Sequence, residues 1–325
     1  MSESTIATQG GMVMGEGEEA MVQVQRMLDE DEQADIARRH LIQKVAFGLL
    51  WLTGITAVLI LLVVIAYVLV EGAQVVNLEF LTAPPEGGLA AEGGISNFII
   101  TTIYVVVLTI GIAGPLGIGA AIFLVEYAGE MQGRTGLLPR LVNVIRFAIE
   151  ILAGVPSIIF GLFGYALFVS AKALGFGFSM LSGSLACACL LLPVIIRASE
   201  EALRAVPRSF RHGSLALGTT QWQTIWGVVL PAALPGIITG IVLSVGRIVS
   251  ETAVFVVTLG GTHHLPKSLS QGGRTLSMHV YYVAMDTKAF QKAMGTGAVL
   301  VVTIVVINLV INYVSRRLSA KLRGS

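Results

Sequence analysis

Arg247 and Glu251 stand four residues apart inside an apolar stretch that runs from about residue 231 to 261. On an α-helix this spacing puts both side chains on one face. A guanidinium offers a planar fork of parallel N–H donors, which two oxygens of an oxyanion can accept. The carboxylate would neutralise Arg247 while the site is empty and repel a bound anion, so that the site releases what it takes up. The same spacing also suits a structural ion pair that locks the helix register. A charge at mid-membrane costs ~2.5 kcal/mol or more, so such a residue faces a bundle interior or a water-filled path.

Other chemistries lack their residues. There is no G-x-x-x-x-G-K-[ST], and none of the six lysines follows a glycine, so the chain has no phosphate-binding loop of its own. The five histidines (His40, His212, His263, His264 and His279) form no H-E-x-x-H pattern, and His263 and His264 read as surface residues. Cys187 and Cys189 sit in an apolar run and read as small apolar side chains. No G-x-S-x-G elbow occurs. The sequence therefore predicts no enzyme, no metal and no cofactor.

The elements that carry Arg247 and Glu251 must be membrane helices. Of 325 residues, 54% are apolar and 13% charged, about half the charge of a soluble domain. A net charge of +1 gives no field that gathers nucleic acid. Apolar stretches at 45–70, 93–125, 147–171, 173–196, about 231–261 and 293–315 give six spans, each near the roughly 20 residues that cross a bilayer. With the N-terminus inside, the inner segments hold fifteen of the basic residues and the outer loops five: Lys172, Lys267, Arg274, Lys288 and Lys292. This asymmetry puts both termini in the cytoplasm. Residues 1–37 carry nine acids and one base and read as a solvated tail, with a short helix at 21–35. A basic region before an early apolar core, the mark of a signal peptide, is missing.

Span three carries Gly154, Pro156, Ser157 and Gly161. Proline bends a helix by removing a backbone hydrogen bond, and small residues let backbones approach, so this region reads as a hinge or pore lining, or as close packing. Gly236 and Gly240 form a G-x-x-x-G packing step. Glu150 is expected to pair with Arg146, and Arg197 to anchor at the membrane surface. Between spans four and five, residues 197–229 are too apolar for a simple loop and too charged to cross lipid. They predict a helix over 209–217, a flexible joint at Gly218 and a second helix opened by a Thr220/Gln223 capping box. Trp222, Ile225 and Trp226 are expected on one face of it. Such a knob suits a cleft in a soluble partner, or the inner lipid surface.

That loop resembles the EAA loop of ABC importer permeases, which reads E-A-A, three residues, Gly, nine residues, a branched aliphatic, any residue, Leu-Pro. Gly218, Val228 and Leu230-Pro231 match its later positions. His212, Gly213 and Ser214 occupy the first three, so the usual Glu is a His. The resemblance implies a coupling helix that docks in a groove of an ATPase subunit, without the family's carboxylate. Three further stretches resemble the PstA-type phosphate permeases: Leu152 to Gly161 (LAGVPSIIFG), Gly246 to Thr252 (GRIVSET) and Gly273 to Tyr281 (GRTLSMHVY).

The likeness runs over residues 45–318. It implies an all-α membrane protein of six transmembrane helices, like type I ABC importer permeases, in a bacterial cytoplasmic (inner) membrane. A cytoplasmic acidic tail would occupy 1–44, the permease domain 45–318 with its coupling loop at about 200–230, and a cytoplasmic tail 319–325. The implied partners are a homologous PstC-like permease, a PstB-like ATPase dimer and an extracytoplasmic PstS-like binding protein, with inorganic phosphate as cargo. In the family the positions of Arg247 and Glu251 serve translocation. Rival readings are a permease for phosphonate, sulfate or molybdate, a proton-coupled secondary transporter using Arg247 and Glu251 as a relay, and a membrane scaffold.

Overall fold

The structure, a computed structural model, describes residues 4–87, 92–128, 137–170, 172–287 and 289–322. The basic residues Arg134, Lys288 and Arg323 lie outside the described residues, as do residues 1–3. The chain divides into two compact units, Met1–Ala66 and Tyr67–Ser325. Helix α1, Ser4–Ala73, makes up the first and runs on into the second. It is continuous where the sequence predicted a short helix on a solvated tail. No proline precedes Pro84, so nothing interrupts its hydrogen-bond ladder. The large apolar side chains of its later half, Trp51 and Leu62 among them, are exposed.

The second unit begins with α2 (Leu78–Thr82), capped by the Asn77 side chain, and a small hairpin of β1 (Pro85–Glu86) and β2 (Glu92–Gly93). Then follow α3 (Ser96–Ile122), α4 (Leu137–Ala153), α5 (Ser157–Gly164) and α6 (Met180–Ala205). Two short helices, α7 (Arg208–Ala216) and α8 (Gln221–Thr224), precede α9 (Leu230–Ser250). The chain ends with α10 (Ala253–Thr258), α11 (Leu276–Tyr282) and α12 (Phe290–Leu322). Wider π-turns continue α3 at Phe123–Tyr127 and join α8 to α9 at Ile225–Val229.

Among the described residues, five helices are long and apolar enough to cross a membrane: Arg38–Ala73, Ser96–Tyr127, Met180–Ala205, Gln221–Ser250 and Phe290–Tyr313. A sixth crossing exists if the bent pair Pro139–Ala153 and Ser157–Val169 counts as one. Of the differences from the sequence reading, three bear on the site. Span three is broken by a 108° bend. Span four starts later, at Met180, because Gly175 and Gly177 turn the chain at positive φ and Ser179 caps the helix by accepting the Ser182 N–H. Span five ends earlier, at Ser250.

Lipid tails are as apolar as leucine, so these helices associate by close packing and polar contacts rather than by escape from water. The G-x-x-x-G step does this: a Cβ on Gly240 would lie 2.5 Å from Ala198 Cβ, and one on Gly236 2.7 Å from Ala202 Cβ, so α9 lies against α6. Three apolar clusters run along the bundle. Phe80, Ile95, Phe98 and Leu276 fill one end. Leu191, Ile195, Ile248 and Phe255 lie in the middle. Leu124, Leu203, Val206 and Val229 fill the end that carries α7 and α8.

Candidate functional site

Helix α9 does not carry both charges. Its last residue is Ser250, and Glu251 is extended, with φ −70° and ψ 128°. The same-face pair expected from the spacing is therefore absent, and no ion pair joins Arg247 to Glu251 among the described residues. The Glu251 carboxylate instead accepts the Val254 N–H at 3.3 Å in the first turn of α10, and its carbonyl accepts the Ser277 hydroxyl at 2.6 Å. It is buried there. A carboxylate at a helix N-terminus satisfies an orphan donor and meets the positive end of the dipole. Arg247 stays in the last turn of α9 with its side chain exposed. A cation is favoured at a helix C-terminus, and its fork still offers the donors an oxyanion needs.

The break in span three falls between α4 and α5. Gly154 and Pro156 are exposed and Ser157, half-buried, opens α5, with Pro156 (φ −57°, ψ 139°) before it. Proline cannot continue the ladder of α4 but suits the entry to a helix, which explains a sharp corner here. Gly161 lies beyond the corner and serves packing: a Cβ would stand 2.6 Å from Val257 Cγ2 on α10. The expected Glu150–Arg146 pair is not formed. Glu150 meets Arg197 of α6 at 3.0 Å, and Arg146 Nη2 donates to the Leu124 carbonyl at 2.7 Å. Both members of the Glu150–Arg197 pair are largely exposed, and such pairs add about 1 kcal/mol or less in water.

The loop between α6 and α9 folds as two helices about Gly218. Gly218 has φ +86°, a left-handed conformation that side chains resist. The expected capping box is present, with Gln223 N donating to Thr220 Oγ1 and Thr220 N to Gln223 Oε1. Side-chain hydroxyls brace the joint. Ser214, Thr219 and Thr224 hydroxyls form a triangle with edges of 2.8 to 3.0 Å across the turn. His212 and Gly213 are exposed on α7, and nothing lies within 4 Å of a Cβ built on Gly213 or Gly218. Leu230 and Pro231 open α9, and Val228 lies in the π-turn before them. Ile225 departs from its expected face. It is buried, whereas Trp222 and Trp226 are exposed with ring centroids 5.5 Å apart. The wider π-turn begins at Ile225 and turns it inward.

Two groups escaped the sequence reading. Arg211 of α7 binds Glu126, at the end of α3, through Nε (3.1 Å to both carboxylate oxygens) and Nη2 (2.7 Å). At the opposite end, Arg274 is buried against the rings of Phe98 and Tyr282, 5.6 and 4.6 Å from their centroids, and donates to the Gly261 carbonyl at 2.8 Å. His279 stacks on Phe98 at 4.2 Å. Burial first, then the Arg274 charge, push its imidazole down to about 3. The rings of His263 and His264 lie tilted against each other, with centroids 4.2 Å apart, and no group of metal-ligating side chains occurs among the described residues.

Comparison with known proteins bears on this architecture. Residues 113–324 match the family described as "Binding-protein-dependent transport system inner membrane component". The chain is 32% identical over 303 residues to the probable ABC transporter permease protein YqgI of Bacillus subtilis (strain 168), covering 88% of this chain and 99% of that one. It is 33% identical to the phosphate transport system permease protein PstA of Yersinia pestis, over 78% of this chain and 80% of that one. Among solved structures, a bacterial alginate ABC transporter in complex with a periplasmic protein bound to alginate pentasaccharide superposes with a TM-score of 0.60 at 15% identity, over 85% of this chain and 95% of that one. The inward-facing MetNI methionine ABC transporter gives 0.50 at 19% identity, over 70% and 94%. At these identities the structures share the fold: a type I ABC importer permease. The chain belongs to the family of inner membrane components of binding-protein-dependent transport systems, and within it to the PstA-type permeases.

Proposed function

We propose that this chain forms half of the membrane pathway for inorganic phosphate in an ATP-driven importer. A PstC-like permease supplies the other half, a PstB-like ATPase pair engages α7 and α8 from the cytoplasm, and a PstS-like protein delivers phosphate from outside. Both termini are cytoplasmic. Nucleotide chemistry resides in the ATPase, whose closure acts on α7 and rocks the bundle between outward and inward access. The observation that carries this reading is Arg247, a guanidinium exposed on a membrane helix and without an ion-pair partner among the described residues. Facing lipid it would cost ~2.5 kcal/mol or more, so that face of α9 is read as meeting a water-filled path between two permeases. Relatives named as phosphate transport permeases favour phosphate over other oxyanions. A proton relay through Arg247 and Glu251 is disfavoured, because the two groups are not in contact.

The direct experiment is purification in detergent, with assays for a co-purifying ATPase and for ATP hydrolysis stimulated by phosphate-loaded binding protein. Competition by phosphonate, sulfate and molybdate for uptake then separates the oxyanions. Absence of any associated ATPase would refute the reading.

A further inference from the structure

We propose that Arg211 and Glu126 form the joint through which α7 moves the membrane helices; the proposal rests on reading α7 as the coupling helix. Helix α7 has no buried residue of its own, so apolar packing alone does not explain how its displacement would reach the bundle. Arg211 connects α7 to two other elements, α3 and α6. Its Nε and Nη2 grip both oxygens of Glu126, at the end of span two. Its Nη1 donates to the Val206 carbonyl at 2.8 Å and its Nη2 to the Leu203 carbonyl at 2.9 Å, both at the C-terminal end of α6. The Leu203 carbonyl also accepts the Val206 N–H that caps α6, at 3.3 Å, and a cation at this helix end meets the negative end of the α6 dipole. Gln221, at the start of α8, adds a bond from Nε2 to the Glu126 backbone carbonyl at 3.0 Å.

The geometry distinguishes this pair from the other ion pairs described. Arg211 and Glu126 are 17% and 8% exposed, against 47% and 67% for Arg197 and Glu150. A pair shielded from water is screened little by salt and holds a fixed orientation. Lysine would keep the charge but not the fork, and so could not hold Glu126 and two carbonyls in one plane. Arg211 is therefore a positioning residue: it touches neither cargo nor nucleotide, and it sets how rigidly α7 is fixed to α3 and α6.

The test uses the complete assembly in proteoliposomes, with phosphate uptake and ATP hydrolysis measured together. Arg211→Ala, Glu126→Ala and the double variant are each expected to retain the ATPase and its hydrolysis while phosphate moved per ATP falls about tenfold, and the double variant should fall no further than either single one. Arg211→Lys keeps a cation over the α6 carbonyls and is expected to fall between wild type and Arg211→Ala. It decides the question if the alanine variants fail to assemble. An unchanged phosphate-to-ATP ratio in Arg211→Lys and in every assembled alanine variant, or additive losses in the double variant, would overturn the joint. If the wild-type assembly itself shows no ATP-dependent uptake, it is the coupling reading of α7 that fails instead.

Discussion

Arg247 makes the sharpest residue-scale prediction. Arg247→Gln leaves a shorter, neutral hydrogen-bond donor and removes both the charge and the fork, so phosphate uptake is expected to fall at least about a hundredfold while assembly with the ATPase stays normal, the loss of a charge-assisted contact being worth roughly 3 kcal/mol. Uptake kinetics with the variant check this. His279 gives a pH dependence. Its imidazole is held neutral, near 3 against an ordinary 6.5, by burial and the Arg274 charge. A depressed histidine stabilises the fold fully above pH 6.5, and that contribution is lost as the pH falls from there toward 3. Thermal melting of the purified protein should drop over that window, by on the order of a few kcal/mol in stability, and His279→Gln should flatten the drop.

Arg247 and Arg211 mark how far the sequence was readable at this scale. The place of Arg247 on an apolar helix was legible, and a charge there is costly wherever it faces lipid. Its relation to Glu251 was not. The helix stops at Ser250 with neither Gly nor Pro to announce it, so a four-residue spacing implied a shared face that the backbone does not provide. Arg211 and Glu126 lie 85 residues apart. In the sequence Arg211 was one more basic residue on the inner side, and only the folded chain brings it to a carboxylate.

At the scale of elements, the loop from α6 to α9 was the most legible part. Gly218, the Thr220/Gln223 box and Leu230-Pro231 each encode a local geometry, and all three appear in place. The hydroxyl triangle of Ser214, Thr219 and Thr224 was hidden, since it closes only after the turn forms. Gly218→Val should strain the left-handed turn by roughly 1–2 kcal/mol and weaken ATPase association or coupling, which co-purification and ATP-dependent uptake measure. Gly240→Leu tests the α9–α6 contact. The added side chain meets Ala198, and a loss of about 1–3 kcal/mol is expected as a lower melting temperature. Span three shows the opposite case. Pro156 predicted a bend, but its angle of 108° was not legible, because a proline marks where a helix ladder stops and not the direction in which the next helix leaves.

At the scale of the whole molecule, the six apolar stretches describe a membrane body. The fold agrees in kind, a type I importer permease with its short helices α7 and α8 at one end and a buried Arg274 cap at the other. The extent of α1 was not legible, because its acidic first half has the composition of a solvated segment while the structure continues it as helix. The central proposal is that transport depends on a separate ATPase gripping α7 and α8 from the cytoplasm. Phosphate uptake into proteoliposomes containing the chain alone, compared with the complete assembly plus ATP, tests it most directly. The account predicts no uptake by the chain alone and ATP-dependent uptake by the assembly; accumulation of phosphate by the single polypeptide without ATP would contradict it.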